Sequence, residues 1–210
     1  MSLRPWLPVI LTCVLCLVGR SCFASDLTRA QIEQRLMQVK DATADFSTLD
    51  LSGADLSGLD LNGADFFSSK LAGAKLKGTR LVAANFTRSD VQGADFSGAD
   101  LRGATFYAAL LDGADFTGAD MTRARIIGGG RGVKFVKAKL IDADLGADPA
   151  NQGMVPVRAE LPEANFDGAD LTRANLTHAV LNAANFTGAI VTGARFDYAV
   201  VDGSNLTLTR

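Results

Sequence analysis

The fold is decided by the five-residue unit Ala94-Asp95-Phe96-Ser97-Gly98 and by its many near-copies along the chain. A large apolar residue, the centre of each unit, returns at every fifth position from Phe46 to Leu206, with two interruptions. Thirty units are recognisable, 17 before the first interruption, three between the two and ten after the second. The position two before the centre is Ala in 23 of the thirty units, so each unit carries one large and one small apolar position.

This period of five fits neither an α-helix nor a flat β-strand, whose side chains repeat at 3.6 and 2.0 residues. A four-sided coil with one unit per side returns the chain to the same face every five residues, and its narrow axis needs the small residue. Four sides predict a second period, of four units. Ten centres are Phe, and all ten fall in two opposite columns, which begin with Phe46, Phe66, Phe86 and Phe106 and with Phe96, Phe116 and Phe135.

The repeat resembles the pentapeptide-repeat family, as the units Ala54-Asp55-Leu56-Ser57-Gly58 and Ala169-Asp170-Leu171 illustrate. The resemblance covers residues 44–210 and implies an all-β solenoid, a right-handed quadrilateral parallel β-helix of about eight 20-residue coils. At an inter-strand spacing of ~4.8 Å these coils would span roughly 40 Å. Because the repeat is continuous, we expect one domain, with interruptions at 127–133 and 146–160.

Residues 1–24 have the anatomy of a secretory signal. Arg4 precedes an apolar run from Trp6 to Val18, and small residues at Cys22 and Ala24 predict cleavage after Ala24. An uncleaved anchor and a lipoprotein signal ending at Cys22 are the alternatives, although the run is short for a membrane span. We therefore expect a periplasmic or secreted protein with no transmembrane segment in the mature chain.

Residues 25–43 are predicted to form a short N-terminal capping helix. Thr28 and Gln31 have the spacing of a capping box, and Leu27 and Ile32 that of a hydrophobic staple. The apolar stripe, which continues to Val39 and Met37, would cover the first coil, since a solenoid end exposes core side chains and unpaired backbone.

The composition beyond the leader points away from catalysis and cofactors. All three cysteines lie in the leader, and the only histidine, His178, is expected at an exposed position. One His without Cys makes no familiar zinc site or nucleophile pair, so we predict no catalytic residue, no metal and no cofactor. The net charge of residues 25–210 is −4, from 19 basic and 23 acidic residues, and predicts no nucleic-acid partner.

A row of aspartates begins the repeat, at Asp45, Asp50, Asp55, Asp60 and Asp65. Calcium binding or paired acid–base carboxylates are the functional interpretations. The structural interpretation is that a short polar side chain suits the tight corners of the coil, and we favour it because calcium needs six to eight converging oxygens.

The first interruption, Ile127-Gly128-Gly129-Gly130-Arg131-Gly132, shortens the repeat by one residue inside a strongly basic segment. Glycine backbone N–H groups surrounded by positive charge can bind an anion, whereas a corner bulge with solvated cations is the structural alternative. We call six residues the basic belt and treat them as a candidate anion or partner site: Arg123, Arg125, Arg131, Lys134, Lys137 and Lys139.

The second interruption, 146–160, contains two prolines and restores the phase of the repeat. Either two degenerate units stay in the coil, or the segment loops out, and the Phe columns are compatible with both. A long insertion on a solenoid is a common functional element.

The C-terminal coils have unusually apolar outward positions, and only four residues follow the last centre. An exposed apolar patch beside a coil without a lid is typical of an interface. We therefore predict a homodimer joined end to end, or a partner protein at the same end, through Val180, Ile190, Tyr198, Val200, Leu206 and Leu208.

Three functions follow from these features. The first is an exported, non-catalytic scaffold that binds a protein or an envelope component through its outer surface. The second is an anion- or carbohydrate-active β-helix protein that uses the basic belt. The third is implied by the family, some members of which are cytoplasmic DNA mimics that shield gyrase. The export signal, the basic belt and the absence of a helix after the last coil disfavour the third.

Overall fold

The computed structural model of the protein describes residues 27–38, 43–148 and 157–206. From Asp45 onward the chain winds into a four-sided coil in which each side pairs in parallel with the same side of the next turn. Asp55 pairs with Lys75, and Lys75 with Asp95, so each partner lies four units further along the chain, as the sequence predicts. The predicted signal at 1–24 lies outside the described residues. Within the described part, no helix is long and apolar enough to cross a membrane.

The regular units use their backbone in the same way. The N–H of the centre donates to a carbonyl of the following coil, as from Phe46 to Asp65 at 2.8 Å. A hydrogen bond between residues three apart then closes a tight turn at the corner, as from the N–H of Ala54 to the C=O of Leu51 at 3.0 Å. Two positions after the centre the backbone is left-handed, with φ of 69° at Gly58 and 60° at Arg88. Glycine is frequent at this position because it adopts a positive φ without steric strain.

Phenylalanine rings fill the core in two stacks, which confirms the column arrangement. In the first stack, Phe46, Phe66, Phe86 and Phe106 lie with their ring centres 4.7 to 5.3 Å apart. The opposite stack contains Phe96, Phe116, Phe135, Phe166 and Phe186, with ring centres 4.9 to 5.3 Å apart. The two stacks meet edge to face across the axis, at 5.5 Å between Phe86 and Phe96. Both arrangements are favourable for aromatic rings.

Helix α1 spans Arg29–Gln38, within the predicted segment 25–43. It begins with the predicted capping box, in which the N–H of Thr28 donates to Oε1 of Gln31 (2.7 Å) and the N–H of Gln31 to Oγ1 of Thr28 (3.4 Å). Ile32 is fully buried in the core cluster. Met37 does not belong to this buried face, because its side chain is 79% exposed. The stripe residue Val39 lies outside the described residues.

The first interruption begins in strand β2 (Arg125–Gly129), which pairs in parallel with strand β1 (Thr105–Leu110) of the preceding coil. Tyr107 pairs with Ile127 and Leu110 with Gly129, so β1 bulges where β2 is one residue shorter. The glycines make this close approach possible. A Cβ at Gly128 would lie 2.6 Å from the carbonyl oxygen of Ala109, and one at Gly130 would lie 2.5 Å from the carbonyl carbon of Leu111. Close packing against the preceding coil therefore explains the glycine run without a bound anion.

The register of the coil skips part of the second interruption, which favours the looped-out alternative. Asp144 pairs with Asn175, whereas an uninterrupted coil would bring Ala164 beside it, so part of the chain is excluded from this turn. The N–H of Ala147 still donates to the C=O of Thr177 in the following coil, and the C=O of Ala159 accepts the N–H of Val180. Consecutive residues at a corner of the regular coil make the same two hydrogen bonds. The excluded residues are therefore 148–158, which we call the insertion.

Candidate functional site

The aspartates one position before each centre stabilise the turns. Oδ1 of Asp55 accepts the N–H of Ser57 at 3.0 Å, and the same bond recurs along the coil. Bonds of this kind from Ser57 lower the pKa of Asp55 below its ordinary value. Across coils, Asp50 faces Lys70 and Asp60 faces Arg80 at 2.9 Å, so opposite charges stack. In the described residues no group of acidic, His or Cys side chains is arranged to hold a metal ion.

The basic belt runs around all four sides of the coil and does not converge on one point. Four of its six cations pair with carboxylates of neighbouring coils. Arg125 contacts Asp144 and Asp148, Arg131 contacts Glu163, Lys134 contacts Asp115 and Lys139 contacts Asp120. Arg123 and Lys137 form no ion pair within the part of the chain that the structure describes. This geometry favours solvated cations over a convergent anion site, and polyanion binding by the belt stays a prediction.

The insertion is anchored at its base on one side of the coil. The N–H of Asp148 donates to the C=O of Val157 at 2.8 Å, which closes the base. The Asp148 carboxylate lies 3.2 Å from Nη2 of Arg125, whose guanidinium carbon is 5.1 Å from the ring centre of Tyr107. Burial, followed by the hydrogen bond to Asp148, raises the pKa of Tyr107. These contacts join the insertion to two successive coils.

Next to this base lies an open groove with a volume of about 920 Å³. His178 and Tyr198 form a stacked ring pair in it, with ring centres 4.9 Å apart. Tyr198 is 80% exposed and partly covers His178, so the expectation of an exposed histidine is wrong. Arg173 is held by Asp142 through two parallel bonds of 2.7 Å, and this contact lowers the pKa of Asp142. Oγ1 of Thr177 is buried and has no hydrogen-bond partner within the described residues.

Sequence reasoning missed this groove because its residues come from three coils separated by the insertion. Asp144 and Asn175 are neighbours only when residues 148–158 are left out of the coil. Of the groove residues, Tyr198 was predicted as a dimer residue for its apolar character. The structure places its ring on the groove side, against His178.

The C-terminal coil differs from the others in the burial of its core. Ala189, Val191, Ala194, Phe196, Val201 and Leu206 are only partly buried. Among the proposed interface residues, Ile190 is 50% exposed, and Val180, Val200 and Leu206 are partly exposed. Leu208 lies outside the described residues. The dimer stays a prediction.

Comparison with known proteins identifies the repeat. The sequence profile of the family described as Pentapeptide repeats matches the chain in eight copies, over residues 44–66, 64–103, 99–129, 157–188 and 174–210. The chain belongs to the pentapeptide-repeat family. Its fold is therefore the right-handed quadrilateral β-helix of that family, which agrees with the four-sided pairing seen here. Pentapeptide-repeat proteins are generally non-catalytic scaffolds.

Among solved structures, a pentapeptide-repeat protein from the Arabidopsis thaliana thylakoid lumen is 38% identical, over 45% of this chain and 66% of that one, with a TM-score of 0.44. HetL from Nostoc sp. strain PCC 7120, a pentapeptide-repeat protein involved in heterocyst differentiation regulation, is 32% identical, over 78% of this chain and 75% of that one, with a TM-score of 0.35. QnrB1, a plasmid-mediated fluoroquinolone resistance protein, is 19% identical, over 71% and 70%, with a TM-score of 0.41. The comparison with curated proteins gave no match.

Proposed function

We propose that this pentapeptide-repeat protein is an exported, non-catalytic scaffold that binds a protein or an envelope component through its outer surface. The observation that carries the proposal is the insertion, which leaves a regular coil at one corner and is anchored by Asp148 to Arg125. The coil does not need it, because Ala147 and Ala159 occupy consecutive positions of an uninterrupted repeat. Loops held by rigid scaffolds commonly carry binding residues.

Deleting residues 148–158 tests this role sharply, since the deletion joins Ala147 to Ala159 in the register of the repeat. The variant should fold with an unchanged or higher melting temperature and should no longer capture the partner that the wild-type protein retains from envelope extract. Lys75→Glu, a charge reversal at an exposed position on the opposite side of the coil, is the control and should retain capture. Capture that survives the deletion would reject the insertion as the recognition element.

Export is part of the proposal and rests on the leader alone. Residues 1–25 fused to a reporter should deliver it outside the cytoplasm, with Ser25 as the first residue of the mature product. A reporter retained in the cytosol would remove the export argument. It would also restore the alternative of a gyrase-shielding protein, which the leader disfavours.

Two finer features of the fold are also proposed. The first is that α1 acts as the lid of the first coil, which is supported by the burial of Ile32 and by Arg29. The guanidinium of Arg29 donates to the carbonyl oxygens of Asp55 (3.4 Å) and Ser57 (3.1 Å). The second is that the repeat forms about eight coils, counted from the column that begins at Phe46 and ends at Phe196.

A further inference from the structure

The groove beside the insertion has the features of a ligand site rather than of plain coil surface. It lies on the side where His178 and Tyr198 stack, and it is lined by planar polar side chains of three coils. We infer that this groove binds a neutral saccharide. The inference goes beyond the proposed function, because the side chains that would contact the saccharide, those of Tyr198, Arg173 and Thr177, belong to the coil and not to the insertion.

The aromatic pair supplies the apolar part of such a site. Tyr198 is 80% exposed, and its backbone adopts a left-handed conformation with φ of 58°. That conformation is unfavourable for a bulky residue, and glycine occupies the same position in many other units. An exposed ring fixed by stacking offers a flat apolar face with little conformational freedom left to lose. The C–H face of a pyranose ring is a suitable partner for it.

The polar part of the site is held in place before a ligand arrives. Asp142 fixes the guanidinium of Arg173 through Nε and Nη2, and Nη1 donates no bond within the described residues. Asn175 is fixed by its bond to Asp144 at 2.8 Å. The buried Oγ1 of Thr177 has no partner in the described part of the protein, and a buried hydroxyl is expected to have one. Saccharide hydroxyls both donate and accept, so they suit such a mixed set of groups.

The charge of the groove decides between ligand classes. Four aspartates and two arginines line it, and Arg125 of the preceding coil pairs with two of those aspartates. The charges therefore balance to within one unit, and most are already paired. A polyanion or a polycation would meet as many repulsive as attractive groups. The affinity of a neutral ligand depends on directed hydrogen bonds and is not reduced by the near-zero net charge of the groove.

Calorimetric titration of protein produced from the full 1–210 sequence tests the inference, with three neutral probes, cellohexaose, maltohexaose and chitohexaose. At least one should bind, and Tyr198→Ala should weaken that binding about tenfold or more, the size expected for loss of an aromatic contact. Thr177→Val should weaken binding several-fold and raise the melting temperature, because it removes a buried hydroxyl without a partner. Phe67→Ala is the matched control, an exposed aromatic residue outside the groove, and should bind like wild type.

Three results would overturn the inference. One is failure of all three probes to bind at millimolar concentration. Another is equal binding by wild type, Tyr198→Ala and Thr177→Val. The third is binding of polygalacturonate, an anionic polymer, in the absence of any neutral probe. Light scattering on the same samples separates loss of a ligand contact from a change of assembly at Tyr198. The test of the proposed function is separate from this one, because the deletion of residues 148–158 is scored by protein capture and not by saccharide binding.

Discussion

The two ends of the solenoid differ in how their core is covered. At the N-terminal end, α1 lies against the first coil, and Phe46, Leu51 and Leu56 are as buried as residues in the middle of the molecule. At the C-terminal end, Val191, Phe196 and Leu206 occupy the same kind of position and are only partly buried. The same repeat therefore gives a complete core or an incomplete one, depending on what packs against its end. We expect stability to fall from the first coils towards the last.

The ends also differ in their backbone groups. The centre N–H groups point towards the following coil, as from Leu171 to the C=O of Ile190 at 2.7 Å. The equivalent N–H groups of Val191 and Phe196 have no acceptor within the described residues. The first coil instead presents carbonyl oxygens, two of which accept bonds from Arg29. Each end also presents groups of the other kind, because the N–H before each centre donates back to the preceding coil, as from Ile190 to the C=O of Ala169 at 2.9 Å.

The largest expected effect separates the middle of the core from its last coil. Phe86→Ala removes a fully buried ring that contacts three others and should lower the free energy of unfolding by about 3–5 kcal/mol. Phe196→Ala, at the same column in the last coil, should lower it by less than half as much, because its ring is partly exposed. Denaturant unfolding measures both. Equal losses would contradict the difference between the two ends.

The second prediction concerns the lid. Ile32→Ala should cost about 2–4 kcal/mol as a large-to-small core change, and it should act locally by releasing α1. Hydrogen exchange should therefore speed up first in the coil that begins at Phe46, before it changes near Phe116. Val201→Ala, in the last coil, is the matched control and should cost less than about 1 kcal/mol, since its side chain is only partly buried. A uniform rise in exchange along the chain would show that α1 is not a local lid.

Part of this comparison could be made from the sequence and part could not. The period of five and the Phe columns predicted the coil, because a repeat specifies which residues share a face. The capping box predicted where α1 begins, since Thr28 and Gln31 interact locally. The pairing of Arg131 with Glu163 was not predictable without the register across the insertion. The groove depends on the same register and was missed for the same reason.

The third prediction uses acid and concerns three aspartates of the first coil. Hydrogen bonds from Ser47, Ser52 and Ser57 lower the pKa of Asp45, Asp50 and Asp55 respectively. A carboxylate whose pKa is lowered by folding stabilises the protein above its ordinary pKa, and this stability is lost as the pH falls through the lowered value. The melting temperature should therefore be nearly constant above the ordinary pKa of 3.8 and fall below it.

A matched variant isolates these three side chains. Asn keeps an oxygen that accepts the turn N–H, as Asn185 does for Thr187 at 3.0 Å, but it does not titrate in this range. The triple change of Asp45, Asp50 and Asp55 to Asn should therefore flatten the fall in melting temperature at acid pH. An acid transition as steep as that of the wild type would assign it to other carboxylates.

The smallest effect on the fold, and a large one on assembly, is expected from a double change of Val200 and Leu208 to Lys. Val200 is partly exposed in the last coil, so Lys there should change the free energy of unfolding by no more than about 0.5 kcal/mol. If the C-terminal coils join two copies, the wild-type protein should scatter light as a dimer at high micromolar concentration and the variant as a monomer. Such a joint is sensitive to added charge, because it would bring the lysines of the two copies together. A wild-type protein that is monomeric at that concentration would exclude the dimer and leave the end for a partner protein.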